Sequence, residues 1–312
     1  MMRAARHLVL GAAVLAGLAA ADGPGRGFAV GVLRRDSVLI PFATFDGKRW
    51  RNTWPPPQIE LTVPISIDGI PSRWWGPTGP LDTWQAWIGG ASRSLRVVQP
   101  DWVGVHCART IALKTDYRAE GAIPPENVQP YPKDALAVSP PQPIEPIEIL
   151  PIDRAAAREV VVKVRDAFNQ AERKTESAYG HPMSRRSREG TEPTVEAIYA
   201  FGSAQRVYYV EAVRPYRELG RAAGECSAVA IGTGWFIRDG ADADIRPLLM
   251  MVDVLNCDRR GASYMLPLGA LRVGTKMFWF VQFSGWDHER YVVIDITPKN
   301  AVAVLSTWGG GC

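Results

Sequence analysis

Trp286, Asp287, His288 and Glu289 form the densest run of chemically capable side chains in this 312-residue sequence. A carboxylate beside an imidazole can move a proton near neutral pH or bind a cation, and the neighbouring indole adds a flat apolar face. The run follows Gly285 at a position that reads as a turn, where polar residues are ordinarily solvated, so an exposed hairpin tip is the competing expectation. Asp258, Arg259 and Arg260 fall in a second turn expected at the same end of the sheet. Trp74 and Trp75 are adjacent and flanked by Pro71, Gly76 and Pro77, which places them on a loop where strand alternation need not bury both. One of these rings is a candidate ligand platform, against the more common fate of packing in a core.

The four cysteines, Cys107, Cys226, Cys257 and Cys312, are separated by 119, 31 and 55 residues. None of these spacings matches the close pairs of a structural zinc site or a CxxC redox motif, so two disulfides are expected and no metal site. A symmetric hairpin around residues 239–244 sets Cys226 opposite Cys257, which favours that bridge and leaves Cys107 for Cys312. The pairing of Cys257 with Cys312 and of Cys107 with Cys226 stays open as the alternative.

Other chemistries find little support. Gly232, Thr233, Gly234, Trp235 and Phe236 resemble the strand that precedes the catalytic histidine of trypsin-like serine proteases. However, no histidine follows until His288, and no GDSGG-type serine occurs, so a triad cannot be assembled from this pattern. The glycines at 23, 25 and 27 precede a strand rather than a helix and so lack the setting of a phosphate loop. No cofactor motif is found. Residues 1–21 hold Arg3, Arg6 and no acid, so without them the net charge of +4 becomes +2. That is too weak a field for nucleic acid, and the cluster of Arg185, Arg186 and Arg188 reads as a solvated loop.

The elements that must position these residues are mostly strands. Arg3, Arg6 and His7, an apolar stretch over 8–18 and Ala19, Ala20 and Ala21 have the layout of a cleaved signal peptide, residues 1–21. No later apolar run is long enough to span a bilayer as a helix, so no membrane insertion is expected after cleavage. Residues 22–122 read as a tryptophan-rich β domain with strands at 28–33, 37–43, 59–65, 83–88, 95–98 and 110–114. Residues 123–152 hold nine prolines between Pro124 and Pro151 and read as an extended connector. Residues 153–312 begin with a helix capped by Asp153 and running to about 175, with Val160, Val161, Val164 and Phe168 on one face. A hairpin at 194–201 and 206–213 follows, then a six-strand antiparallel meander at 228–237, 247–255, 263–268, 276–283, 291–297 and 301–308.

The fold expected is therefore mainly β, with antiparallel sheets arranged as a sandwich, barrel or propeller, one central helix and a proline-rich connector. The function expected is that of an exported, periplasmic or extracellular, non-enzymatic binding or structural module whose partner is a carbohydrate or an envelope protein. The alternative is a secreted hydrolase of an extracellular polymer such as a polysaccharide, which would need two facing carboxylates.

Overall fold

The computed structural model describes residues 27–59, 63–79, 82–217 and 226–312. The expected leader, residues 1–21, lies outside them. The chain opens with β1 (Phe28–Arg34), β2 (Val38–Phe45), β3 (Trp50–Arg51), β4 (Trp84–Ile88), β5 (Ala91–Leu95), β6 (Val97–Val105), β7 (Ala108–Thr115) and β8 (Lys133–Ser139). These form one antiparallel sheet in the order β5-β4-β8-β1-β2-β7-β6, with β3 on β2. Every position of β1 and β2 is buried, and their sequences FAVGVLR and VLIPFATF are correspondingly apolar without alternation. One face of this sheet is covered by Trp54, Ile70 and Trp75 from the long loop between β3 and β4. That loop includes the expected strand at 59–65, and its described positions, 59 and 63–65, are not in a strand; residues 60–62 lie outside the described chain.

The second sheet comprises β9 (Glu148–Ile149), β10 (Thr194–Phe201), β11 (Gln205–Tyr216), β12 (Ala228–Asp239) and β13 (Arg246–Leu255), ordered β13-β12-β11-β10-β9. Helix α1 (Ala155–Tyr179) packs on one face through Ala157, Val160, Val164, Ala167, Phe168 and Ala171, spaced three and four residues apart as a buried helical stripe requires. Its start differs from expectation. The N-cap is Arg154, without a side-chain cap bond, and Asp153 lies one residue too early to serve. The third sheet is an antiparallel meander of β14 (Tyr264–Val273), β15 (Lys276–Ser284), β16 (His288–Thr297) and β17 (Asn300–Gly311).

The third sheet lies between the other two. On β15, Phe278 and Phe280 pack toward the first sheet with Val30, Phe42 and Leu136, whereas Met277, Trp279 and Val281 pack toward the helix-backed sheet with Val207, Tyr209 and Trp235. The layers thus run tryptophan loop, first sheet, middle sheet, helix-backed sheet, helix. This stack corrects the six-strand meander: β12 and β13 belong to one sheet and β14 to β17 to another. Strands β12 and β15 are buried along both faces, and only a sheet covered on both sides accommodates that pattern.

The proline-dense stretch also differs from a plain connector, because β8 within it pairs with both β1 and β4. Between Pro132 and Pro140 there are seven residues, KDALAVS, each able to donate to a ladder, so prolines delimit a strand here rather than prevent one. The disulfides are Cys107–Cys312 and Cys226–Cys257, the favoured pairing. The first ties the β6–β7 turn to the end of β17, and the second ties the start of β12 to the turn after β13.

Candidate functional site

The turn between β15 and β16 is closed by Gly285, whose N–H donates to the His288 carbonyl at 2.9 Å. A Cβ at position 285 would sit 2.4 Å from His288 Cε1, so glycine permits the imidazole to fold back over the turn. His288 Nδ1 and Asp287 Oδ1 are 2.8 Å apart, and this contact holds the Asp287 carboxyl below the usual aspartate range. The His288 ring stacks on Trp308 of β17, with centroids 5.8 Å apart and planes at 11°. The Cys312 N–H donates to the Asp287 carbonyl at 2.9 Å, so the Cys107–Cys312 bridge anchors the tip from below. Arg260, from the turn after β13, sets its guanidinium 4.6 Å over the Trp286 ring and leans on Asp258 at 3.5 Å.

Trp286 is 65% exposed and Trp308 49% exposed, far above what a core indole shows. Trp286 has a guanidinium over one face and Trp308 an imidazole, and both rings remain partly exposed. Exposed Trp308 was not singled out by sequence reasoning. Its only signal was a tryptophan ahead of the terminal Gly309, Gly310 and Gly311, where a Cβ on Gly311 would collide with the indole at 2.5 Å.

The run 286–289 does not act as a unit. Glu289 is fully buried, because β16 has already begun at His288 and successive strand residues face opposite sides. Its carboxylate accepts from Lys133 Nζ at 3.1 and 3.0 Å, from Gln282 Nε2 at 3.1 Å and from the Tyr291 hydroxyl at 2.7 Å. Lys133 reaches this interior through a bulge. Leu33 pairs with Ala135 but Arg34 pairs with Lys133, so one residue is skipped and Lys133 turns to the same side as Leu136 and Val138. Burial pushes its ammonium below the ordinary lysine value and pushes the Tyr291 hydroxyl up. Beside this cluster, Arg34 donates to the Gly104 carbonyl at 2.9 Å and lies 4.0 Å over Tyr131.

Of the loop pair, Trp75 is 4% exposed and packs with Trp54 at 5.6 Å, so it offers no platform. Trp74 is half-buried against the same ring at 6.2 Å. The two pack there because the loop itself is the cover of the first sheet.

Two further buried acids lie elsewhere. Glu172 of α1 accepts from Arg214 and Tyr216, and Arg214 also donates to Asn169, which locks the helix onto β11. Glu211 accepts the Met265 N–H at 2.7 Å, and burial raises its pKa to about 7. Glu289 and Glu172 are engaged by cations and Glu211 by a backbone donor. Among the described residues, no group of three or more His, Cys, Asp and Glu side chains is placed to hold a metal, and no helix is long and apolar enough to cross a membrane.

No family model, curated protein or solved structure matches this chain. The end of the middle sheet offers two braced, partly exposed indoles, Trp286 and Trp308, with Asp287, His288 and Arg260 beside them and a disulfide below.

Proposed function

We propose that this is an exported, non-catalytic binding module that takes a polysaccharide, or another polymer with flat apolar faces, at the tip formed by Trp286, Asp287, His288 and Trp308. The observation that carries the reading is the exposure of two indoles at one end of a disulfide-anchored sheet, each held by a partner on its rear face. A sugar ring presents a C–H face that stacks on an indole, while its hydroxyls need nearby donors and acceptors, which Asp287, His288 and Arg260 supply. Both signs of charge occur at the tip, which favours a neutral glycan over a strongly acidic one. Export is the setting in which two disulfides persist, and it accords with the leader-like residues 1–21.

The test incubates purified protein with a panel of insoluble cell-wall and plant polysaccharides and measures both retention and released reducing ends. Retention of the wild type, loss of retention in Trp286→Ala and Trp308→Ala, and no reducing ends are expected. Release of reducing ends without retention would replace this reading with a hydrolase.

A further inference from the structure

The buried cluster under the tip holds the parts of a covalent reaction. Lys133 projects from the first sheet and Gln282 from the middle sheet, and both are 1% exposed or less. Their side-chain nitrogens converge on one atom, Glu289 Oε2, at 3.0 Å from Lys133 Nζ and 3.1 Å from Gln282 Nε2. A primary amine, a carboxamide and a carboxylate touching both are the reactants and the proton carrier for amide exchange. We propose that Lys133 and Gln282 condense into an intramolecular isopeptide bond that joins the first sheet to the middle sheet, with Glu289 carrying the protons. This inference does not depend on the ligand reading above.

The step balances without any external reagent. Glu289 takes a proton from the Lys133 ammonium, and the freed amine attacks Cδ of Gln282. Glu289 then passes its proton to Nε2 and accepts another from Nζ as the Cδ–Nε2 bond breaks. The Nζ–Cδ bond remains, ammonia leaves, and Glu289 ends protonated beside the Tyr291 hydroxyl. Nothing is oxidised or reduced.

Three features favour the forward direction. Holding amine and amide together in a packed interior supplies the effective concentration that makes an otherwise slow aminolysis feasible. Burial already disfavours the charged lysine, and condensation replaces a buried ion pair by a neutral amide and a neutral acid, removing the cost of two desolvated charges. Gln282 Oε1 is buried without a hydrogen-bond partner, so exchanging Nε2 for Nζ sacrifices no bond on the carbonyl side. On the other side of the amide, Gln282 Nε2 donates to Ser284 Oγ at 2.6 Å, and both residues help line a pocket of about 210 Å³ next to which the leaving ammonia would be released.

Tryptic mapping of the folded, full-length secreted protein under reducing conditions tests this directly. A branched peptide joining residues 119–154 to residues 277–290, lighter than the sum of its parts by one ammonia, is expected, with no cleavage after Lys133. Fragmentation should place the link between Lys133 and Gln282. Glu289→Gln should restore the two linear peptides, and because the wild-type map is decisive by itself, a folding failure of that variant leaves the test intact. Recovery of Lys133 and Gln282 in separate, unmodified peptides from the wild type would overturn the proposal, as would a Lys133–Glu289 link formed with loss of water.

Discussion

At the residue scale, the buried acids behave differently because their partners differ. Among the described residues Glu211 accepts from the Met265 N–H and has no cationic partner, and burial raises its pKa to about 7, above the usual 4.5. The folded state therefore binds more protons than the unfolded state between those values, so Glu211 lowers stability progressively as pH rises from about 4.5 to 7. Glu211→Gln keeps an acceptor for Met265 and cannot ionise. It should flatten that decline and stabilise the protein at pH 8 by about 3 kcal/mol, read from urea midpoints at pH 5 and 8. An unchanged pH dependence would mean that Glu211 is solvated. The exposed tip obeys a different rule, because its side chains lose little on truncation unless a ligand covers them. Trp308→Ala should leave the thermal midpoint nearly unchanged while weakening polymer binding roughly tenfold, the scale of a single aromatic anchor. The sequence pointed to Trp286, Asp287 and His288 by composition. It concealed Lys133 and Gln282, since a lysine after a proline and a glutamine in an aromatic strand read as surface until the bulge at β8 and the second covered face of β15 are known.

At the element scale, strand positions could be read well where turn residues bounded apolar runs, as in β1, β2, β10 and β15. They could not be read in the loop between β3 and β4, where Ile59 and Val63 are apolar yet exposed and the described backbone makes short 3-10 turns and an isolated bridge at Gln58 rather than a strand. Sheet membership was the larger loss. Alternation fixes which residues share a face but not which layer covers it, so six well-placed strands were joined into one meander although the chain changes sheet after Cys257. The helix shows how tightly the outer layers dock. A Cβ on Gly232 of β12 would lie 2.5 Å from Phe168 and 2.6 Å from Met250, so α1 approaches as closely as it does only over bare backbone. Gly232→Val should therefore destabilise by about 1–3 kcal/mol, with loss of helix-region protection in hydrogen exchange. A neutral effect would show that the helix can shift outward without penalty.

At the scale of the whole molecule, three stacked sheets make long-range connections the dominant architecture, and one disulfide joins the first sheet to the middle one while the other closes the end of the helix-backed sheet. The Cys107–Cys312 bridge closes a sequence separation of 205 residues and the Cys226–Cys257 bridge one of 31. Chain-entropy arguments assign about 5 and 4 kcal/mol to these loops, so Cys107→Ser with Cys312→Ser should lower the thermal midpoint more than the other pair of replacements. That same bridge supports the tip, and its removal should also weaken polymer retention, whereas loss of Cys226–Cys257 should act on retention only through the position of Arg260. The reading as a binding module rests on the tip engaging a polymer without breaking it. Native affinity electrophoresis through gels containing soluble polysaccharides measures this most directly. Migration of the wild type should be retarded by at least one neutral glycan, with the retardation abolished in a Trp286→Ala, Trp308→Ala double variant that retains the wild-type thermal midpoint. Equal migration of wild type and double variant in every gel would contradict it.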